Sequence, residues 1–179
     1  MSIQAAAPAV NTSEIRQAWG ADNAAAGVDF VQFISFAIGD DQYGVDIMAV
    51  REIKGWSEIT HLPKQPDYVR GVLNLRGVIV PIIDLRCRFG QGMTAATVMH
   101  VIIIVQMEDR LVGLLADRVS DIISVDPAKI KAVPKVAQSA RLDFLAGIVT
   151  VDEAMIALIA LSNLLTRPEA KAWQTDSTH

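Results

Sequence analysis

The chain has a single cysteine, Cys87, in 179 residues, so no internal disulfide can form and stability must come from packing. Such low cysteine use suits a reducing compartment, and a cytoplasmic protein is expected. Aromatic residues are scarce at 6%, too few to line a groove for proline-rich peptides. Long apolar runs are missing as well. The strongest, Val101 to Val105 and Val78 to Ile83, fall far short of the roughly 20 residues a helix needs to cross a bilayer. No basic residue precedes Arg16, which argues against a secretory leader. Basic charge is not in excess either: 16 Lys and Arg face 20 Asp and Glu, for a net charge of -4. A broad nucleic-acid or anionic-membrane surface needs the opposite balance.

What the chain has in abundance is β-branched aliphatic side chains, with 19 Val and 19 Ile against 13 Leu. These stiff residues suit a pleated surface better than a helix, so a mainly β fold is expected. With 51% hydrophobic and 20% charged residues, the chain can bury a real core.

Residues 1–28 are Ala-rich without a sustained period and read as a flexible N-terminal tail. From Phe30 to Ile38 the chain reads as a strand, Gly39 to Gln42 as a turn, and Tyr43 to Val45 as a returning strand. Asp46 can cap a short helical turn over Ile47 and Met48. Val50 to Lys54 is extended, and His61 to Pro66 is a proline-fixed loop. Val72 to Leu75 and Val78 to Leu85 form a hairpin turning at Arg76-Gly77, with Pro81 expected at an edge or a bulge. A Gly-containing loop, Phe89 to Thr97, precedes a strand from His100 to Met107. A C-terminal helix from Ser162 to about Trp173, capped by Ser162, opens the segment 162–179.

The second half echoes the first. Phe36 to Ile53 aligns without gaps on Val105 to Ile122. Asp40, Gly44, Val50 and Ile53 meet the identical Asp109, Gly113, Val119 and Ile122, and Glu52 meets Asp121. Gly71 to Leu75 matches Gly147 to Val151, and Val78 to Leu85 matches Ala154 to Leu161. Short strands with closely spaced turns point to two similar β subdomains, roughly 30–88 and 99–161, sharing one apolar interface.

Chemistry is sparse. There is no phosphate-cradling Gly-Lys-Ser/Thr loop and no Gly-x-Ser-x-Gly elbow. Gly90-Gln91-Gly92-Met93-Thr94-Ala95 matches a dinucleotide fingerprint as a string, yet a strand follows too soon for the helix that pyrophosphate requires. It reads as a loop, with no cofactor. His61, His100 and His179 lack metal-ligand spacing, so no metal is expected. Cys87 lies between Arg86 and Arg88, whose charge would lower its thiol pKa, but with no base in reach it reads as an inert thiol. Residues 60–88 carry Lys64, Arg70, Arg76, Arg86 and Arg88 against Asp67 and Asp84, a local basic excess that suits either a partner surface or a solvated face.

One string is specific. Tyr43-Gly44-Val45-Asp46-Ile47, Val50 to Gly55, and Arg70 to Leu85 with its Asn-Leu-Arg-Gly-x-x-x-Pro-x-x-Asp-Leu core resemble the CheW family of bacterial chemotaxis coupling proteins. Val112 to Ile122 fits the second half of the same family, and the resemblance spans about residues 30–165. It implies an all-β fold of two SH3-like five-stranded barrels with a common core, short helices and a C-terminal helix, the CheW-like domain covering 29–165. It implies a non-enzymatic, cytoplasmic adaptor at chemoreceptor arrays. The implied partners are the regulatory domain of the histidine kinase CheA, the cytoplasmic tips of methyl-accepting chemoreceptors and, in rings, other CheW-like domains. No nucleic acid and no membrane insertion are expected. Glu52 and Arg76 carry over at or beside the receptor-binding face, with Val50 and Gly71 at similar positions. Opposite charge leads us to expect Glu52 and Arg76 to meet. The competing functions are a small cytosolic enzyme using Cys87 or a histidine, and an SH3-like peptide-binding module.

Overall fold

The computed structural model describes residues 29–134 and 144–165; the expected N-terminal tail and most of the expected C-terminal helix lie outside them. Among the described residues ten strands follow one another: β1 (Val31–Ile38), β2 (Asp41–Asp46), β3 (Val50–Gly55), β4 (Val69–Leu75), β5 (Val78–Asp84), β6 (Val101–Met107), β7 (Arg110–Ala116), β8 (Arg118–Val125), β9 (Leu145–Val151) and β10 (Ala154–Ile159). A short helix, α1 (Leu85–Arg88), follows β5. Local chemistry sets the corners. Asp46 Oδ1 accepts the Met48 N–H at 2.9 Å and caps the 3-10 turn Ile47–Ala49, as expected. Arg76 (φ 51°) and Gly77 (φ 87°) both take the left-handed conformation that a two-residue hairpin needs, and Asn74 Oδ1 accepts the Gly77 N–H at 2.8 Å.

The strands form two five-stranded sheets, in the orders β8-β1-β2-β10-β9 and β3-β6-β7-β5-β4. The sheets therefore do not follow the sequence halves 30–88 and 99–161. Each is a hairpin of one half flanked by strands of the other, because β2 and β5 find their second neighbours, β10 and β7, in the distant half. The repeat survives this exchange in detail. Ile82 lies opposite Gly113 in one parallel pair, as Leu158 lies opposite Gly44 in the other. A Cβ at Gly44 would come within 2.9 Å of Leu158 Cδ2, and one at Gly113 within 2.9 Å of Ile102 Cγ2 and closer still to Ile82. Both glycines are there because a neighbour's side chain fills the space.

Period-2 patterning explains the core. Phe33 points into the first barrel with Ile156 and Leu158, while Ile34, Phe36 and Ile38 point out of it. Ile102 and Ile104 fill the second barrel, and Ile103 and Val105 face the other way. The outward residues meet in a third cluster, the shared core between the barrels, so the unbroken apolar run from Val101 is buried on both faces. The few aromatics concentrate here: Tyr43, Phe89 and Phe144 pack in series with centroids 4.7 and 4.5 Å apart, the first pair tilted and the second stacked.

Two local expectations need correction. Pro81 is on β5, an inner strand of its sheet, at neither an edge nor the bulge itself, which lies one residue on, between Gly71–Ile82 and Val69–Ile83. It is tolerated because pairing with β7 begins only at Ile82, leaving Val72 as the strand partner of Pro81. The chain after β10 does not start a helix capped by Ser162. Leu161–Asn163 is one 3-10 turn with Ala160 at its cap position, and no side chain caps it. Leu164 and Leu165 then turn into the shared core.

Candidate functional site

The tip of the β4–β5 hairpin carries Arg76, and β3 carries Glu52. An Arg76 Nη2–H donates to Glu52 Oε2, so the two residues meet as their charges suggested. Arg76 is largely exposed (76%) and Glu52 partly so (31%), hence the pair adds little stability and chiefly orients the guanidinium. Val50 precedes Glu52 across a bulge: Val50 pairs with Val105 and Glu52 with Ile104, leaving Arg51 extra. Val50 is half-buried against the shared core, and the nearby Asp46 carboxyl is pushed above its ordinary pKa by burial, partly offset by the Met48 N–H. Gly71 is different in kind. It is buried at φ 145°, and a Cβ there would collide with the Thr60 carbonyl, whose residue is bridged to Val72 by hydrogen bonds of 2.8 and 2.9 Å. Of the four candidate residues, Glu52 and Arg76 present functional groups to solvent, while Val50 and Gly71 hold the backbone that presents them. Ile53, Val78 and Ile79, adjoining in sequence, are exposed apolar residues.

The local basic excess does not form a basic patch. Arg70 donates to Asp84 at 3.0 Å and to the Thr94 carbonyl at 2.6 Å, and lies 5.9 Å from the Trp56 ring centroid. Arg86 pairs with Asp117 at 2.7 Å. Arg88 donates to the Leu164 carbonyl at 2.9 Å between the rings of Tyr68 and Phe144. These arginines are structural, and Arg76 is the one that reaches outward from the motif.

Two carboxylates to which the sequence assigns no role, Asp84 buried and Asp117 partly exposed, organise the polar contacts. Asp84 is fully buried and accepts from Thr94 N and Thr94 Oγ1, both at 2.7 Å, from Arg70, and from the Cys87 N–H at 3.3 Å, which caps α1. The clue was an acidic residue directly after Pro81-Ile82-Ile83, where only a satisfied charge can be buried. Asp117 accepts from the Gly39 N–H and from Arg86, each at 2.7 Å, and lies 3.4 Å from His100 Nε2. Thr97 N–H donates to His100 Nδ1 at 3.0 Å. The Gly90–Ala95 string is a loop tied by Thr94 to Asp84, and no helix follows it before β6. The expected lowering of the Cys87 pKa is reversed. Burial raises it first, Asp84 and Asp67 raise it further, and Arg70 only partly offsets them. Arg86 and Arg88 are committed elsewhere.

Residues 32–169 match the family model of the CheW-like domain. The chain is 43% identical over 141 residues to a probable chemotaxis protein CheW of Rhizobium etli, covering 79% of this chain and 91% of that protein. It is 38% identical over 138 residues to chemotaxis protein CheW of Klebsiella aerogenes, covering 77% and 83% respectively. Its fold is similar to the crystal structure of the scaffolding protein TtCheW from Thermoanaerobacter tengcongensis, with a TM-score of 0.72, 33% identity, and coverage of 80% of this chain and 93% of that one.

Proposed function

This chain belongs to the CheW-like domain family, and from that premise we propose how it serves as a chemotaxis coupling adaptor: one surface takes a chemoreceptor tip and another takes the kinase. Coupling in chemotaxis is its function, and the enzyme alternative has no support among its relatives. The receptor face is the Arg76–Glu52 tip, with Val50 and Gly71 as its supports. The observation that carries this reading is the orientation of an exposed guanidinium by a neighbouring carboxylate on a rigid two-residue turn. Such a charge is worth most when a partner covers it and excludes water.

The second surface is an apolar barrel end, suited to the matching fold of the CheA regulatory domain and, in rings, to other CheW-like domains. No catalytic step is assigned. Cys87 is held as a thiol, and Asp84 and Asp117 are committed to hydrogen bonds within the fold. Among the described residues no helix is long and apolar enough to cross a membrane, and the reading places the adaptor in the cytoplasm beneath receptor arrays.

The test is Arg76→Glu. Receptor co-sedimentation and kinase activation should fall, with kinase affinity and circular dichroism unchanged. Loss of kinase binding with receptor binding intact would reverse the two surfaces. Receptor binding should also weaken with added salt more than kinase binding does, since screening acts on the charged face.

A further inference from the structure

The Arg76 face has a twin on the other barrel. In the register of the repeat, Val50, Glu52, Gly71 and Arg76 correspond to Val119, Asp121, Gly147 and Asp152. The correspondence holds in the folded chain. β3 and β8 are both edge strands, and both carry the same bulge: Val50 opposite Val105 and Glu52 opposite Ile104, then Val119 opposite Phe36 and Asp121 opposite Ser35. Both hairpin tips are two-residue left-handed turns, with φ 51° and 87° at Arg76-Gly77 and 48° and 65° at Asp152-Glu153. The apolar setting is repeated too. Ile53 is 41% exposed and Ile122 54%, while Ile79 is 60% exposed and Met155 65%.

The difference is charge. Where one tip offers Arg76 beside Glu52, the other offers Asp152 and Glu153, and Asp121 stands at the repeat position of Glu52. Glu153 also occupies the place of Gly77 in a conformation that side chains adopt at a cost. We propose that Asp152 and Glu153 are specificity residues that silence this second face toward the receptor, so that a pseudo-symmetric chain takes one receptor tip and has a fixed polarity. A partner surface that accepts a guanidinium presents carboxylates or carbonyls, and these are repelled by an acidic tip of otherwise equal shape. Discrimination by like charge is the usual way to separate two similar surfaces. The proposal rests on the receptor reading above.

The experiment uses the full chain and a soluble chemoreceptor cytoplasmic fragment as probe, with binding stoichiometry measured by sedimentation and folding checked by near-UV circular dichroism. Wild type should bind one fragment, and Arg76→Asp should weaken binding about tenfold. Adding Asp152→Arg and Glu153→Gly to the Arg76→Asp chain should restore one bound fragment; adding them to wild type should give two. A folded chain without that gain overturns the proposal. If Asp152→Arg disturbs folding, Asp152→Asn with Glu153→Gly in wild type should still add a weaker second fragment, and its absence is equally fatal. A wild type that binds no fragment, or an Arg76→Asp chain that binds normally, overturns the receptor reading and the proposal with it.

Discussion

The two sequence repeats end their fifth strands differently. β5 runs into Asp84, a buried carboxylate with four hydrogen-bond donors, whereas β10 runs into Ala160, which caps nothing. The next residues, Leu85 and Leu161, both pack on the shared core. Features present in both barrels are those the backbone requires: glycines where a neighbour's side chain or carbonyl arrives, bulges, and left-handed tips. The polar hub is present once, where a loop must be fastened. Thr94 ties that loop to Asp84, and Arg70 completes the hub from β4. Symmetric positions carry the fold, and asymmetric ones carry its special tasks.

Separating the halves should have the largest effect. Residues 29–97 and 98–165 expressed alone should each remain unfolded, with collapsed amide dispersion in nitrogen–proton spectra, because each sheet needs strands from both. A folded half would mean the exchange is dispensable. Next comes Asp84→Ala, expected to cost about 3–5 kcal/mol in urea unfolding, since it leaves Arg70 without its counter-ion and the Thr94 N–H without its acceptor. Ala160→Ser, at the matching place, should change stability within about 0.5 kcal/mol. A third contrast sets Gly71→Ala against Gly147→Ala. The former meets a backbone carbonyl at a left-handed φ, the latter chiefly the Ile130 Cγ2 methyl at 2.6 Å, which can yield. Gly71→Ala should therefore lose more, by about 1–3 kcal/mol, and equal losses would remove the distinction. The smallest effect concerns Cys87. With its pKa raised, less thiolate is present at pH 8 than in a free cysteine, so iodoacetamide should react more slowly with the folded chain than with the urea-unfolded one.

Much of this was legible in the sequence. The Arg76-Gly77 hairpin, the Asp46 cap and the gapless repeat follow from local chemistry, and the pairing of Glu52 with Arg76 follows from opposite charge on an extended segment and at a hairpin tip. The exchange of strands was not legible. A repeat reports which segments are alike, and it is silent on whether β5 pairs within its own half or with β7. Nor could a charge count tell that Arg70, Arg86 and Arg88 would turn inward, because their partners, Asp84, Asp117 and the Leu164 carbonyl, are set by tertiary packing. Gly71 stands out in the sequence only by its place in a motif, and its physical reason, the approach of Thr60, comes from a loop whose path the sequence does not specify.

The exchange also orders events in time. A ribosome delivers β1 and β2 first, yet their barrel closes last, for it waits on β8, β9 and β10. The other barrel draws only on Val50–Ala116 and can complete itself while the remainder is still being made. During synthesis the first hairpin must therefore keep Phe33, Ile34 and Phe36 from other partners from Asp46 until Ile159, a stretch of translation in which it offers the nascent chain a site for aggregation.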